Sequence, residues 1–209
     1  MPKFALKIIL GEMSDLLLGS LKVSSGKIIE SGYTFQYPYL LSALNDICKN
    51  STNEFIVEHW LPLPIDEIFS FFKEPKNLEK ITPGYLNFKV LNQSSKEINE
   101  GTKINYRLSL HGIPMWWQSK IVDWEPNHKF SDTQIHGPYN HWYHTHEFEE
   151  KEGGTLIRDH VKYKLPFGIP GDCVAGSWVQ KDLENIFDFR KKKIREIFKD
   201  QILSSHSKV

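Results

Sequence analysis

The chain has 209 residues, of which 40% are hydrophobic and 25% are charged, a balance typical of a globular protein. Lys and Arg together number 26, as do Asp and Glu, so no excess charge recruits the chain to nucleic acid or to an anionic membrane. Cys48 and Cys173 stand far apart and form no C-x-x-C motif, which predicts a reducing compartment without a disulfide framework. Without an apolar run of about 18 residues, no membrane span is predicted, and we expect a cytoplasmic protein.

The pattern of proline and apolar residues in positions 1–49 predicts a small helical appendage. Pro2 suits the start of a helix, and apolar residues follow at helical spacing as far as Leu17. The segment from Tyr33 to Tyr37 is expected to be extended, and Pro38 is expected to begin a second short helix that contains Leu41, Leu44, Ile47 and Cys48. Two short helices cannot bury much apolar surface alone, so this segment needs a packing partner. The polar residues 50–53 are predicted to be a linker.

A set of short motifs in this segment resembles a known family. The motifs are Gly11-Glu12-Met13, Gly32-Tyr33, Phe35, Tyr37-Pro38 and Ala43-Leu44. They are similar to the C-terminal tail domain of NAD-dependent epimerase/dehydratase-like proteins, which implies a dinucleotide-binding epimerase-like partner for residues 1–49. The chain has no Gly-rich dinucleotide fingerprint, and the Tyr85-to-Lys89 spacing falls where no helix is predicted. We therefore expect no cofactor in this chain.

Residues 54–200 predict an α+β domain. A strand at 55–61 is followed by two short helices, from Pro64 to Phe72 and from Glu74 to Ile81. Six further strands are expected, one with alternating Leu86, Phe88 and Val90 and the others at 104–110, 115–124, 129–136, 139–150 and 155–165. A long amphipathic helix is predicted at 177–199, with the basic run 190–195 on its solvated face, followed by a disordered tail at 201–209.

This order of elements resembles the helix-grip (START-like, SRPBCC) superfamily, in which a curved antiparallel sheet folds around a long C-terminal helix. The motifs that carry the resemblance are Asp132-x-Gln134-x-x-Gly137-Pro138, Trp142-x-His144-x-His146-x-Phe148 and Gly153-Gly154-Thr155. They are similar to a polyketide-cyclase-like subgroup. Because the superfamily shares no universal catalytic motif, the resemblance implies the fold more than the function.

Strand alternation identifies candidate residues for an internal pocket. Side chains two residues apart share one face of a strand, and the charged residues are placed outside. The predicted ligand-binding residues are Phe88, Tyr106, Leu108, Trp117, Gln134, Trp142, His144, His146, Asp159 and Tyr163. An apolar cup with few polar groups is typical of a small-molecule site.

The polar members of this set leave three interpretations open. His144, His146 and Asp159 can form an internal hydrogen-bond network, contact a ligand, or carry acid–base chemistry with Asp132 as a further candidate. His-x-His on a strand is also a metal-ligand geometry, but its spacing departs from the cupin motif, so no metal is predicted.

Three functions follow as hypotheses. The first is binding of a small hydrophobic or amphipathic molecule, lipid- or polyketide-like, in the internal pocket. The second is a cyclase- or dehydratase-like enzyme that uses the His/Asp cluster. The third is an accessory subunit of an epimerase-like protein, held through residues 1–49.

Overall fold

The structure, a computed structural model, describes residues 24–39, 42–43, 52–166 and 169–206. The chain divides into two compact units, Met1–Ala43 and Leu44–Val209. In the first unit, helix α1 spans Gly26–Glu30, and residues 33–37 adopt no regular strand. The helix predicted to begin at Pro2 and most of the one predicted to begin at Pro38 lie outside the described residues.

The second unit is built on an antiparallel sheet of seven strands. The strands are β1 (Asn53–Leu61), β2 (Lys89–Gln93), β3 (Lys103–Leu110), β4 (Ile113–Glu125), β5 (Lys129–His136), β6 (His141–Lys151) and β7 (Gly154–Lys164). They lie side by side in the order β1-β7-β6-β5-β4-β3-β2, so that all but β1 neighbour the next strand in the chain. Helices α2 (Ile65–Phe72) and α3 (Pro75–Lys80) and a 3-10 turn (Gly84–Leu86) connect β1 to β2. This arrangement confirms the predicted α+β fold.

The long helix α4 (Ile169–Ile197) completes the domain and contacts β1. It begins eight residues before the predicted start, because Pro170, Gly171 and Gly176 weaken the helical signal there while proline is tolerated in a first turn. A second helix, α5 (Lys199–His206), occupies most of the segment for which disorder was expected. Its entry residue Phe198 is buried against the core, which explains why the chain stays ordered there. No helix in the described ranges is both long and apolar enough to cross a membrane.

The alternation predicted for the strands decides which side chains face α4. On β3, Ile104 and Tyr106 are buried whereas Lys103 and Arg107 are exposed. The first segment predicted to alternate differs, because Leu86 lies in the 3-10 turn and the left-handed backbone of Asn87 (φ 45°) delays β2 until Lys89.

Two apolar clusters hold the domain together. One gathers around α2, where Phe69 packs against Phe130 and Phe148 with ring centroids 6.1 and 5.4 Å away. The other lies beneath α4 and joins Phe55, Val161, Tyr163, Leu165, Leu183 and Phe187. Open space remains between these two clusters, and the candidate site lies there.

Candidate functional site

A cavity of about 170 Å³ lies between the sheet and α4. Its apolar wall comes from strand residues on one face, together with one side of the helix. The lining includes the predicted residues Phe88, Tyr106, Leu108, Trp117, Trp142, His144 and His146, with Asp132 beside the two histidines. The strand register explains the grouping, since Tyr106 pairs directly with Trp117 across β3 and β4.

Aromatic rings form the central part of the wall. Trp117 and Trp142 meet edge to face with ring centroids 5.2 Å apart, and Tyr139 lies 4.9 Å from Trp142. Edge-to-face pairs are a favourable arrangement for aromatic side chains, and they hold one another in place. The cavity therefore has a rigid apolar surface against which a flat ring or a hydrocarbon chain can pack.

Three of the predicted residues do not line this cavity. The Gln134 amide donates to the Tyr139 carbonyl at 2.7 Å and so supports the loop between β5 and β6. Tyr163 is buried in the cluster beneath α4. Asp159 lies behind the two histidines rather than at the cavity surface.

Several lining residues were missed by sequence reasoning. They are Leu78 on α3, Thr82 and Leu86 in the connection from α3 to β2, Leu110 and Met115 on β3 and β4, Pro138 and Tyr139 in the loop between β5 and β6, and Asp182, Leu183, Ile186, Phe187 and Arg190 on α4. The helix residues carried a usable signal, because positions 183, 186, 187 and 190 recur at the i, i+3, i+4, i+7 spacing of one helix face. By that spacing Arg190 belongs to the inner face.

The polar end of the cavity is built around the Asp159 carboxylate. Asp159 Oδ1 lies 2.9 Å from His144 Nε2 in a hydrogen bond. The same oxygen lies 2.7 Å from His146 Nδ1, but off the axis of a hydrogen bond. The other ring nitrogen of His144 lies 3.6 Å from Asp132 Oδ1. The sheet register produces this cluster, because His146 is the direct partner of Asp159 and His144 is the partner of Asp132.

Burial shifts the ionisation of this cluster. Loss of hydration raises the pKa of Asp132 to about 6, against the opposing charges of His146 and Arg190. Burial, reinforced by His146, lowers the pKa of His144 to about 3, so its imidazole is neutral at pH 7. Burial alone would raise the pKa of Asp159, but the two histidines outweigh it and the pKa lies below its usual range. The cavity wall thus contains one carboxyl group that titrates close to neutral pH.

Arg190 is buried in the same wall, which corrects the prediction that the basic run lies wholly on a solvated face. Its side chain is only 10% exposed, and its guanidinium carbon lies 4.6 Å from the centre of the Phe187 ring. Arg190 Nη1 is 3.8 Å from Asp159 Oδ1, beyond hydrogen-bond length. Within the described part of the chain, neither Nε nor Nη1 of Arg190 has a hydrogen-bond partner. Burial lowers the pKa of Arg190.

Among the residues that the structure describes, Asp132, His144 and His146 could hold a metal ion, since one ligand atom from each lies within 4.8 Å of the others. Asp159 contacts a ring nitrogen of both histidines, as carboxylates do behind metal ligands. The same contacts also complete a metal-free polar cluster, and Arg190 places a positive charge beside it. The geometry therefore accounts for the cluster without requiring a metal.

Comparisons with known proteins agree with this fold. The family model described as "Polyketide cyclase / dehydrase and lipid transport" matches residues 61–185. A model described as "Domain of unknown function (DUF1731)", a domain associated with epimerases, matches residues 1–47. Comparison with curated protein sequences gives no match.

Solved structures show the same fold at low sequence identity. The di-domain ARO/CYC StfQ of the steffimycin biosynthetic pathway is 11% identical with a TM-score of 0.60, over 77% of this chain and 54% of that one. Protein Ms6760 from Mycobacterium smegmatis is 15% identical with a TM-score of 0.54, over 76% and 94%.

A nucleoside-diphosphate sugar epimerase from Corynebacterium glutamicum is 20% identical with a TM-score of 0.53, over 69% of this chain and 29% of that one. The match to residues 61–185 spans more than half of the chain. The chain belongs to the polyketide cyclase/dehydrase and lipid transport family.

Proposed function

We propose that this protein binds a small amphipathic molecule, lipid- or polyketide-like, in the cavity between the sheet and α4. The observation that carries the proposal is the division of the cavity into an aromatic wall and one polar end. Trp117 and Trp142 form the apolar part, whereas Asp132, His146 and Arg190 gather at the other. Pockets of this kind bind ligands through apolar contact and orient them through few polar groups. The family's description supports hydrophobic ligand binding in general.

The dimensions of the cavity limit the ligand. A smaller cavity of about 60 Å³ adjoins the first and shares Tyr106, Asp132, His146 and Arg190 with it. For scale, an apolar protein cavity of about 150 Å³ holds benzene. We therefore expect one ring, or a short hydrocarbon chain, to be enclosed, with the remainder of the molecule reaching toward the half-buried residues Leu110 and Met115.

One polar contact links the turn between β3 and β4 to a residue of α4 that lines the cavity. His111, in the turn between β3 and β4, lies 2.8 Å from the Asp182 carboxylate on α4. Because His111 is 62% exposed, this contact is in reach of water and costs little to break. In the proposed function, ligand entry separates His111 from Asp182, and the contact re-forms over the bound molecule.

A fluorescence titration tests the proposal. N-phenyl-1-naphthylamine is an uncharged probe that emits strongly only in apolar surroundings. We expect saturable enhancement at one site, with a dissociation constant in the micromolar range, about −8 kcal/mol. A response that rises linearly with the probe, without saturation, would contradict the proposal.

A second candidate function is acid–base catalysis, favoured by the raised pKa of Asp132. A carboxyl group with a pKa of about 6 can both accept and donate a proton near neutral pH. A dehydration would remove a hydroxyl and a neighbouring hydrogen as water. The probe reaction is conversion of 4-hydroxy-4-phenylbutan-2-one to the conjugated ketone, followed by absorbance. This candidate requires turnover that Asp132→Asn and His144→Ala abolish in folded proteins that still bind the probe.

We also infer that residues 1–49 dock onto a dinucleotide-binding epimerase-like protein in a reducing, cytoplasmic compartment. The match of residues 1–47 to a domain associated with epimerases supports this partner. The two separate cysteines support the compartment. Co-purification of the full chain with such a protein, and its loss when residues 1–49 are removed, is the expected result. Equal recovery of the partner with the truncated chain would rule out docking through this segment.

A further inference from the structure

Arg190 is a buried charge that lies 3.8 Å from the Asp159 carboxylate but does not use all of its hydrogen-bond donors. In the described residues, Nε and Nη1 are both buried and both lack a hydrogen-bond partner. Leaving a buried polar group unpaired costs free energy, and a buried charge costs more. Native proteins nearly always give such groups a partner. A guanidinium in this position therefore indicates a partner that the folded chain itself does not provide.

The position of Arg190 shows where that partner would lie. Arg190 lines both the larger cavity and the adjoining smaller one, together with Tyr106 and His146. Its guanidinium rests on the Phe187 ring one turn earlier on α4, which fixes its orientation. Arg190 is thus held where the two cavities adjoin, at the polar end of the apolar wall.

We propose that Arg190 binds a carboxylate on the ligand, so that the natural ligand is an amphipathic acid. This inference rests on the proposed function, because it assigns the polar end of the same bound molecule. A guanidinium offers planar donors that match a carboxylate, and such charge-assisted hydrogen bonds are shorter and stronger than neutral ones. The ligand's apolar body then lies against Trp117 and Trp142.

Two carboxyl groups, Asp132 and Asp182, also line the larger cavity. Each faces a histidine of the domain: Asp132 Oδ1 lies 3.6 Å from His144 Nδ1, and Asp182 Oδ2 lies 2.8 Å from His111 Nε2. Arg190, in contrast, has two N–H groups for which the described residues provide no acceptor. An acidic ligand therefore finds its complementary charge at Arg190, and the two carboxyl groups disfavour other orientations of the acid.

The test compares acids with their own primary amides, which have nearly the same shape without the charge. N-phenyl-1-naphthylamine serves as the reporter, and trans-cinnamate, benzoate and decanoate are the acids. We expect at least one acid to displace the probe about tenfold more effectively than its amide at pH 6. A difference of this size is what one charge-assisted hydrogen bond contributes to binding. If no acid outcompetes its amide, the proposal is wrong.

Variants of α4 assign the preference to one residue. Arg190→Gln should reduce the acid-to-amide ratio to about one, and because the ratio is measured within one variant, a general change in affinity cancels from it. Arg190→Lys, which keeps the charge, should retain part of the preference for acids over amides. Lys192→Gln is the matched control, because it removes an exposed charge from the same helix and should leave the ratio unchanged. A ratio that persists in Arg190→Gln would contradict the assignment.

The outcomes separate the two proposals. Saturable probe binding with no preference for acids would support the hydrophobic pocket but contradict the binding of a ligand carboxylate by Arg190. Absence of saturable probe binding together with no displacement by any acid would overturn both. If Arg190→Gln does not fold, Arg190→Lys decides instead, because it keeps the charge but lacks the planar donors of the guanidinium. We expect its acid-to-amide ratio to fall below the wild-type ratio, and an unchanged ratio would overturn the carboxylate.

Discussion

Asp159 on β7 accepts a hydrogen bond from His144 on β6 at 2.9 Å, and both side chains are at least nine-tenths buried. The same carboxylate oxygen contacts His146 and lies within 4 Å of Arg190. One buried anion therefore compensates several polar groups that face the cavity. The polar end of the site depends on a residue that does not itself line it.

Replacement of Asp159 should be strongly destabilising. Asp159→Ala leaves Arg190 without its nearest anion and His144 without an acceptor, and loss of one member of a buried ion pair costs about 3–5 kcal/mol. The free energy of unfolding in urea measures this loss. Glu54→Ala is the matched control, since Glu54 pairs with His160 at 3.0 Å but is half exposed, and such pairs contribute at most about 1 kcal/mol. Equal losses in the two variants would contradict the proposed role of Asp159.

His59 should make the fold sensitive to acid. Burial, together with Arg195 and Lys191, lowers its pKa from 6.5 to about 4. Between these two pH values the unfolded chain binds a proton that the folded chain excludes, so stability falls as the pH falls. The difference between the two pKa values corresponds to a loss of about 3 kcal/mol in the free energy of unfolding by pH 4.

His59→Gln keeps a neutral acceptor for Arg195 and removes this titration. The difference in unfolding free energy between variant and wild type, measured from pH 7 to pH 4, should therefore shift by about 3 kcal/mol in favour of the variant. His136→Gln, an exposed histidine on β5, controls for the loss of an imidazole. A difference that is constant with pH would refute the assignment.

Gly154 at the start of β7 has no room for a side chain. A Cβ atom there would lie 2.3 Å from the carbonyl oxygen of Leu61 and 2.9 Å from the Cα atom of Pro62. Both are backbone atoms, so Gly154→Ala requires the β1 end to shift and should cost about 1–3 kcal/mol. The midpoint temperature of thermal unfolding should fall by several degrees, at roughly 2–4 °C per kcal/mol for a chain of this size. Gly84→Ala, where nothing lies within 4 Å, should change the midpoint little.

The sequence predicted the sheet well because its strands are half buried. Ile104 and Tyr106 alternate with Lys103 and Arg107, and this pattern specifies both the strand and its inner face. The interval between His144 and His146, with Asp159 on the next strand, placed the three on one face, and their hydrogen-bond network was one of the three interpretations left open. Turn residues such as Gly153 marked the ends of strands.

The site was harder to predict because strand alternation identifies the inner face of a strand but does not show which part of that face the helix packs against. Trp142 and Tyr163 are direct partners on one face, yet Trp142 lines the cavity and Tyr163 packs beneath α4. Only the position of the helix separates the two. Arg190 was missed because it begins a basic run whose other members are more exposed. The charge of the run predicted a solvated face, although the helical spacing places Arg190 on the inner face of α4.

If the cavity between the sheet and α4 is the binding site, a side chain that fills it should block binding. Leu110 lines the cavity on β3, whereas Arg107 on the same strand is exposed on the opposite face. The measurement is the N-phenyl-1-naphthylamine titration of Leu110→Trp and Arg107→Trp beside the wild type. We expect Leu110→Trp to weaken binding by at least about tenfold, a loss of about 1.4 kcal/mol, whereas Arg107→Trp should bind as the wild type does. Equal affinities in all three folded proteins would contradict this prediction.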